Sequence, residues 1–457
     1  MKILGMALAD FFVPKSVAIV GAYHEEGKIG HVIVKNLLSS YKGKIFPVNP
    51  NSKEILGKTC YPSLTAIPCK VDLVMIVVPA PLVLGILDDV KKIGTRSVII
   101  VSAGFKEVGE FKLEQRLIAK LKTHKIRCIG PNCLGLLNMD IDFDSLFLPA
   151  DKVRRPKKGD ISFISQSGAL GAAVLDLAAK EGYGFSKFVS YGNATDIDEI
   201  DLLEYLEKDS STKVIALYIE AVKDGKRFLE TAKRISKTKP VIIIKGGVTK
   251  AGSAAALSHT GSLAGEAQVY FGAFKQAGLV TASNLEELFD FIKLFEKLEV
   301  RPQGPNIQII TNGGGYGILT ADAVSSVGLS LAQPSEQTKK RLISVFPPQV
   351  IVKNPIDLLG DATARRYHDA IQTCQSDKNI DLILVVVLPQ TPLVDIQSVV
   401  DVLAVQNNKK QKPIVVVTTG SDLADRLREM LSNKGIACFD FPERAVKAIK
   451  AMIDYQD

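Results

Sequence analysis

The chain lacks several features that are typical of membrane, secreted and zinc-binding proteins. Its 457 residues contain no tryptophan and no low-complexity tract long enough to predict disorder. No apolar run reaches the ~18 residues of a membrane-spanning helix, so we predict no membrane association. The six cysteines form no Cys-x-x-Cys pair, which argues against a zinc site and, without a secretory signal, against a disulfide framework. We therefore expect no metal site within this chain.

The N-terminus, Met1–Asp10, is only weakly similar to a signal sequence. It is short, and a strand pattern follows from Ser16. We interpret it as a lead-in segment and expect a cytoplasmic protein.

Positive charge is in modest excess and is spread along the chain. The formal net charge is +8, aromatic residues make up 7% of the sequence, and the only short basic clusters are at 152–158 and 409–412. A nucleic-acid surface requires a concentrated basic face, whereas a small anionic ligand requires less charge. We therefore predict a small anionic ligand and no nucleic-acid partner.

Short apolar strands alternate with helical stretches throughout the sequence, as at Ser16–Val20, Lys44–Val48 and Val214–Ile219. This alternation predicts an α/β protein built on parallel sheets with helices on both faces. Pro-containing junctions at 149–159 and 300–305 divide the chain into three domains of ~150 residues each. The predicted domains are residues 1–148, 159–298 and 304–457.

Two glycine-rich turns open the second and third predicted domains in a similar way. Each follows a strand and leads into a helix of small residues, at Ser165–Gly171 and at Thr311–Gly317. A helix start presents unpaired N–H groups and a partial positive charge, so each turn is a candidate phosphate site. The alternative is that the glycines only make tight turns. The candidate phosphate-binding residues are Ser165, Gln166, Ser167, Gly168, Gly313, Gly314 and Gly315.

A single histidine, His259, lies in a segment of small residues, Gly252–Gly265, between a predicted strand and a predicted helix. Little in that segment would bury an imidazole, and a mobile loop suits a nucleophile or group carrier. Glu220 follows the strand Val214–Ile219, at the sheet edge where such folds bind ligands, and can orient an imidazole through one nitrogen. The alternatives are a surface histidine and a solvated carboxylate.

Five turns in the first domain follow predicted strands and predict a nucleotide-type ligand across the sheet edge. The first turn, Gly21–Gly30, is not Gly-x-Gly-x-x-Gly, so a dinucleotide fingerprint is absent. Lys53 is a candidate phosphate ligand. Cys133 is either a nucleophile or an ordinary turn thiol. The other turns are Val48–Lys53, Val78–Pro81, Ser102–Phe105 and Gly130–Gly135.

Together these segments resemble the α subunit of the NDP-forming acyl-CoA synthetases, in particular the ADP-forming acetate–CoA ligases, a family that includes succinyl-CoA synthetase. The resemblance implies a Rossmann-like CoA-binding domain followed by two flavodoxin-like doubly wound domains. It also implies that His259 becomes phosphorylated, that Glu220 orients it, and that the two glycine turns hold phosphate. The residues implied to bind CoA are Gly21, Lys28, Gly30, Val48, Asn49, Pro50, Lys53, Val78, Pro79, Ser102, Ala103, Gly104, Asn132 and Cys133.

The implied reaction is a relay in which acyl-CoA and phosphate give acyl phosphate and CoA, and a phosphohistidine then phosphorylates ADP. No segment resembles an ATP-grasp domain, so ADP/ATP and Mg²⁺ are expected mainly on an ATP-grasp β subunit, in an α2β2 heterotetramer. Three alternatives stay open: a CoA-sensing regulatory protein without turnover, a succinate–CoA ligase-type activity, and an NAD-linked oxidoreductase. The missing fingerprint argues against the last of these.

Overall fold

The computed structural model describes residues 8–254 and 266–455. They form two compact units, which lie within Met1–Thr281 and Ala282–Asp457.

The first unit begins with a five-stranded parallel sheet. Its strand order is β2-β1-β5-β6-β7, and a small hairpin of β3 and β4 stands apart from it. Helices connect the strands, as the alternating pattern predicts. The strands are β1 (Ser16–Val20), β2 (Lys44–Val48), β3 (Glu54–Ile55), β4 (Lys58–Thr59), β5 (Leu73–Ile76), β6 (Ser97–Ile100) and β7 (Arg127–Ile129), and the helices are Ala9–Phe12, Ile29–Ser40, Ala80–Lys92 and Phe111–His124.

A seven-stranded sheet completes the first unit, in the order β14-β13-β12-β10-β11-β8-β9. Strands β10 to β13 run parallel, whereas β8 and β9 add an antiparallel edge. The strands are β8 (Gly135–Asn138), β9 (Phe143–Asp144), β10 (Lys157–Ser165), β11 (Gly184–Ser190), β12 (Val214–Ile219), β13 (Val241–Lys245) and β14 (Val280–Ala282), and the helices are Gly168–Glu181, Glu199–Lys208, Gly225–Ile235 and Ala267–Gln276.

Two features of this sheet differ from the sequence-based expectation. The strands β8 and β9 precede residue 148 yet pair with the second sheet. In addition, β10 begins at Lys157, inside the stretch predicted to be a linker, because Gly159 and Gly184 let the two backbones approach. A Cβ at Gly159 would lie 2.4 Å from the main chain of Gly184.

Both sheets of the first unit share one apolar core. The same cluster of buried side chains contains Val17 of β1, Ile164 of β10 and Ile243 of β13. Phe11 and Phe12 of the first helix are fully buried within it, and the Phe12 ring stacks on Tyr205 with 3.9 Å between ring centroids.

The second unit is a third sheet, ordered β17-β18-β15-β19-β20-β21, with β16 beside β15. Its helix Leu285–Lys297 packs against the helix Pro442–Asp454, where Arg444 forms a bidentate ion pair with Asp290 at 2.7 and 2.8 Å. The strands are β15 (Asn306–Thr311), β16 (Ser330–Leu331), β17 (Ile351–Val352), β18 (Ile356–Asp357), β19 (Leu382–Val386), β20 (Ile414–Val417) and β21 (Cys438–Phe439), and the remaining helices are Gly314–Ser326, Glu336–Val345, Ala364–Gln375, Ile396–Asn408 and Asp422–Asn433.

The predicted fold class is confirmed: the chain is α/β, with a Rossmann-like domain and flavodoxin-like domains. The boundaries 1–148, 159–298 and 304–457 stay predictions. Within residues 8–254 and 266–455, no helix combines the length and apolarity needed to cross a bilayer.

Candidate active site

A cavity of about 570 Å³ opens at the carboxyl ends of β1, β2 and β5. Its volume and apolar lining are those of a site for a small ligand. The strand turns that form it are tied together, since the side-chain amide of Asn49 donates to the main-chain oxygen of Ala22 at 2.8 Å and the N–H of Gly21 donates to Val48 at 3.1 Å. The predicted CoA-binding residues that line the cavity are Gly21, Val48, Asn49, Pro50, Val78 and Pro79.

Part of the cavity wall was missed by the sequence analysis. Leu82, Gly85, Ile86 and Asp89 line the cavity from one face of the helix Ala80–Lys92. Their spacing of three and four residues is the signal that could have identified this face. Tyr23 and the segment 62–64 close other sides of the cavity, and nothing in the sequence pattern marks them.

The remaining predicted CoA-binding residues lie outside the cavity lining. Lys28 occupies the N-cap position of the helix Ile29–Ser40, and its ammonium lies 3.9 Å from a carboxylate oxygen of Glu25. Lys53 is exposed before β3. The hydroxyl of Ser102 donates to the main-chain oxygen of Val78, a cavity residue, at 2.5 Å. The full set outside the lining is Lys28, Gly30, Lys53, Ser102, Ala103, Gly104, Asn132 and Cys133.

Gly30 allows its helix to pass directly over the turn at Gly21. A Cβ at position 30 would lie 2.0 Å from the main-chain oxygen of Gly21. We therefore expect Gly30→Ala to lower the free energy of unfolding by at least the upper part of the ~1–3 kcal/mol range seen for overpacking. Urea unfolding of the purified chain measures this change.

Gly85→Ala is the matched control, because a Cβ there meets no atom within 4 Å. Replacing a glycine inside a helix with alanine should stabilise the chain by about 0.5–1 kcal/mol. Equal effects of the two substitutions would contradict the close approach at Gly30.

Cys133 is a buried turn thiol, 3% exposed. Its Sγ lies 3.3 Å from the main-chain oxygen of Ile100, and burial raises the pKa of the thiol to about 12. A thiol that stays protonated at neutral pH is a poor nucleophile, which favours the alternative of an ordinary turn residue.

The turn after β10 places a helix start next to the end of β12. Ser167 caps the helix Gly168–Glu181, where its side chain accepts from the N–H of Leu170, and the hydroxyl of Ser165 donates to the main-chain oxygen of Ser167 at 2.6 Å. The side chain of Gln166 accepts from the N–H of Glu220 at 2.7 Å. Two predicted features, the phosphate turn and Glu220, are therefore directly joined.

The carboxylate of Glu220 is buried, with 6% of the residue exposed. Its Oε1 accepts from the hydroxyl of Tyr218 at 3.2 Å, whereas Oε2 has no hydrogen-bond partner among residues 8–254 and 266–455. A buried carboxylate oxygen without a donor is costly. This oxygen can accept a hydrogen bond from an imidazole N–H, which is the role predicted for Glu220.

Lys245 brings a positive charge to the same sheet edge. It ends β13 opposite Ile219 of β12, is 5% exposed, and its ammonium lies 4.7 Å from the centroid of the Tyr270 ring. Burial lowers the pKa of Lys245, while the charge of Glu220 opposes that change. His259 itself lies outside the described residues, in the segment that follows this strand.

The turn after β15 in the second unit repeats the local pattern of the Ser165–Gly168 turn. The hydroxyl of Thr311 donates to the main-chain oxygen of Gly313 at 3.1 Å, as Ser165 does to Ser167. The side chain of Asn312 accepts from the N–H of Leu388, beyond β19, at 2.8 Å. Gly314 and Gly315 begin the helix Gly314–Ser326 and are both exposed, so this helix start is also open to an anion.

Metal ligands are not gathered at these turns. No group of three or more His, Cys, Asp or Glu side chains within residues 8–254 and 266–455 is arranged to hold an ion.

Three family models match successive parts of the chain. They are a CoA binding domain over residues 15–139, a succinyl-CoA ligase like flavodoxin domain over residues 158–295, and a Ligase-CoA domain over residues 307–455.

Individual relatives match nearly the whole chain. It is 41% identical to the α subunit of acetate–CoA ligase [ADP-forming] I of Pyrococcus furiosus, covering 98% of this chain and 97% of that one. It is also 41% identical to acetate–CoA ligase [ADP-forming] I of Archaeoglobus fulgidus, covering 97% of this chain but only 63% of that longer protein.

A solved structure agrees with these matches. The dinucleotide forming acetyl-coenzyme A synthetase 1 of Ca. Korarchaeum cryptofilum, in complex with phosphate and ADP, superimposes with a TM-score of 0.92 at 36% identity, over 98% of this chain and 97% of that one. The chain therefore belongs to the family of ADP-forming acetate–CoA ligases, the NDP-forming acyl-CoA synthetases that are related to succinyl-CoA ligase.

Proposed function

We propose that this chain is the α subunit of an ADP-forming acyl-CoA synthetase, which interconverts acyl-CoA, ADP and phosphate with a carboxylic acid, ATP and CoA. The observation that carries the proposal is the buried Glu220, whose Oε2 has no donor among the described residues. Its main-chain N–H is bonded to Gln166, at a helix start suited to phosphate.

The first step joins CoA chemistry to phosphate. A phosphate oxygen bonds to the thioester carbonyl carbon, the C–S bond breaks, and CoA leaves as the thiol. The helix start at Gly168 would stabilise the phosphate, because its N–H groups and dipole favour anions. Acyl phosphate is the product of this step.

The second step moves the phosphoryl group onto His259. An imidazole nitrogen bonds to phosphorus and the carboxylic acid leaves as carboxylate. Glu220 would accept the N–H of the other ring nitrogen, which fixes the tautomer and stabilises the cationic ring in the transition state. Phosphohistidine then phosphorylates ADP.

The nucleotide-binding half of the reaction is proposed for a partner. Two relatives are named as α subunits, and the Korarchaeum structure is a complex with ADP. We propose an ATP-grasp β subunit in an α2β2 heterotetramer as the carrier of ADP and Mg²⁺. No step in this chain is assigned to a metal, because no group of described side chains is arranged to bind one.

CoA is proposed to enter the cavity at the ends of β1, β2 and β5. The apolar wall from Leu82 to Ile86 suits the adenine ring of CoA. Lys28 and Lys53 are exposed cations that could bind the phosphates of CoA. Ser102 contacts the cavity wall through Val78.

The substitution Gly85→Phe tests this placement. Gly85 lines the cavity, and a Cβ there meets no atom within 4 Å, so we expect the ring to occupy the cavity. We expect the Kd for CoA to rise at least about tenfold, or about 1.4 kcal/mol, as measured by titration calorimetry.

Gly272→Phe is the matched control, since its Cβ position is also open and lies outside the cavity lining. CoA affinity should be unchanged in that variant. An unchanged Kd in Gly85→Phe would place CoA elsewhere.

The activity itself is tested by purifying the chain with its partner and supplying ATP, CoA and a panel of carboxylic acids. Formation of a thioester with one of the acids supports the ligase. CoA binding without thioester formation or protein phosphorylation would favour the regulatory alternative, and a preference for succinate would favour the succinate-type activity.

A further inference from the structure

The side chain of Asn193 connects the two sheets of the first unit. Asn193 lies in the turn after β11 and is 4% exposed. Its amide nitrogen donates to Oε2 of Glu107 at 2.7 Å and to Oε2 of Glu114 at 2.9 Å. The ammonium of Lys106 donates to the main-chain oxygen of Asn193 at 2.8 Å. We call Asn193, Lys106, Glu107 and Glu114 the Asn193 clamp.

Glu107 extends the clamp to the loop that follows β6. Its Oε1 accepts from the N–H of Gly104 at 2.6 Å and from that of Phe105 at 3.1 Å. Burial acts to raise the pKa of Glu107, but the hydrogen bonds from Asn193 and from these amides outweigh it, and the pKa lies below its usual value. The carboxylate is therefore ionised at neutral pH, and its hydrogen bonds are strengthened by the charge.

That loop is bonded in turn to the wall of the cavity. The hydroxyl of Ser102 donates to the main-chain oxygen of Val78 at 2.5 Å, and Val78 lines the cavity. A chain of contacts thus runs from Asn193 through Glu107 and Ser102–Phe105 to the proposed CoA site.

The same turn also contacts the segment that follows Glu220. The ammonium of Lys223 donates to the main-chain oxygen of Ala194. Lys223 is three residues beyond Glu220, whose own N–H is held by Gln166. The turn that contains Asn193 is therefore connected to the Ser102–Phe105 loop on one side, through Glu107, and to the segment after Glu220 on the other.

We propose that Asn193 is a positioning residue for the thioester half-reaction. By bonding Glu107 across the two sheets, it fixes the Ser102–Phe105 loop relative to Glu220 and the phosphate turn at Ser165–Gly168. This inference rests on the proposed function. Attack of phosphate on the thioester requires phosphate and acyl-CoA to be held at the correct distance and angle. A displacement of ~1 Å can lower the rate by ~10²-fold. Phosphoryl transfer between ATP and His259 requires no CoA and should be insensitive to the clamp.

The test compares Asn193→Ala with Asn138→Ala, in the chain purified with its partner. Asn138 is another buried amide of the second sheet, 1% exposed, which donates to the main-chain oxygen of Phe12 at 2.6 Å. Two partial reactions are measured: phosphorolysis of acetyl-CoA, or of the acyl-CoA that the wild type cleaves best, and labelling of the protein by ATP carrying ³²P in its γ-phosphate.

Asn193→Ala should slow phosphorolysis about 10- to 100-fold while labelling stays within about threefold of wild type. Asn138→Ala should leave the ratio of the two rates unchanged. If Asn193→Ala does not fold, Glu107→Gln should give the same contrast, because it keeps the side-chain size and removes the charge.

Two failures are distinguishable. A wild type that neither cleaves acyl-CoA nor becomes labelled refutes the proposed function. A wild type that does both, with a variant that slows both partial reactions equally or neither of them, refutes the positioning role of Asn193.

Discussion

The substitution His259→Ala is expected to lower the synthesis of acyl-CoA from acid, CoA and ATP by about 10⁴-fold or more, because it removes the atom that carries the phosphoryl group. The measurement is thioester formation by the chain purified with its partner. Labelling with ATP carrying ³²P in its γ-phosphate should give an acid-labile, alkali-stable phosphoprotein in the wild type and none in the variant.

CoA binding separates a chemical defect from misfolding. The His259→Ala variant should bind CoA with the wild-type Kd, because the proposed CoA cavity lies at β1, β2 and β5. His368→Ala is the matched control, since His368 is partly exposed and contacts Asp369 at 3.0 Å on a helix of the second unit. Full turnover after loss of His259 would eliminate a phosphohistidine intermediate.

The second large effect is expected for Glu220→Gln, which should slow labelling by about 10²- to 10³-fold, in the range of positioned acid–base groups. Glutamine keeps the size of the side chain and can accept from Tyr218 as before. It removes the negative charge that would stabilise a cationic imidazole, and its amide cannot match a carboxylate as an acceptor. Rapid-quench labelling measures the rate.

Glu207→Gln is the control for that experiment. Glu207 forms a bidentate ion pair with Arg234 at 2.9 Å on the surface of the same unit, where such pairs contribute little to stability. The Glu207→Gln variant should be labelled at the same rate as the wild type. Labelling of Glu220→Gln at the wild-type rate would mean that Oε2 of Glu220 does not orient His259.

Local signals in the sequence predict the strands that form the centre of each sheet. The observed bounds of β1, β2 and β12 equal the predicted bounds, because each is a short, largely apolar run that is followed by glycine, asparagine or a charged residue. The proximity of the Ser165–Gly168 turn to Glu220 was also predictable, since the carboxyl ends of parallel strands in one sheet meet at one edge; the roles of these residues stay predictions.

Other features depend on contacts that no local pattern encodes. The strand β8 contains Gly135 and Asn138 and is held by pairing with β11, so it carries no alternating signal. No pattern in the sequence around Asn193 indicates its partners Glu107 and Glu114, which are 86 and 79 residues away. The core that both sheets of the first unit share arises in the same way, because side chains of two predicted domains pack into one cluster.

The antiparallel edge formed by β8 and β9 bears on how this protein can be divided. A fragment that starts at the predicted second domain would keep β10 beside β11 but lose β8 on the other side, and would expose a row of free N–H and C=O groups along β11. An unpaired edge strand of this kind can pair with a strand of another molecule and cause aggregation, and native proteins usually protect such edges. Recombination between related enzymes would therefore have to carry residues 135–144 along with the sheet that they protect, so the exchangeable module begins before the apparent linker.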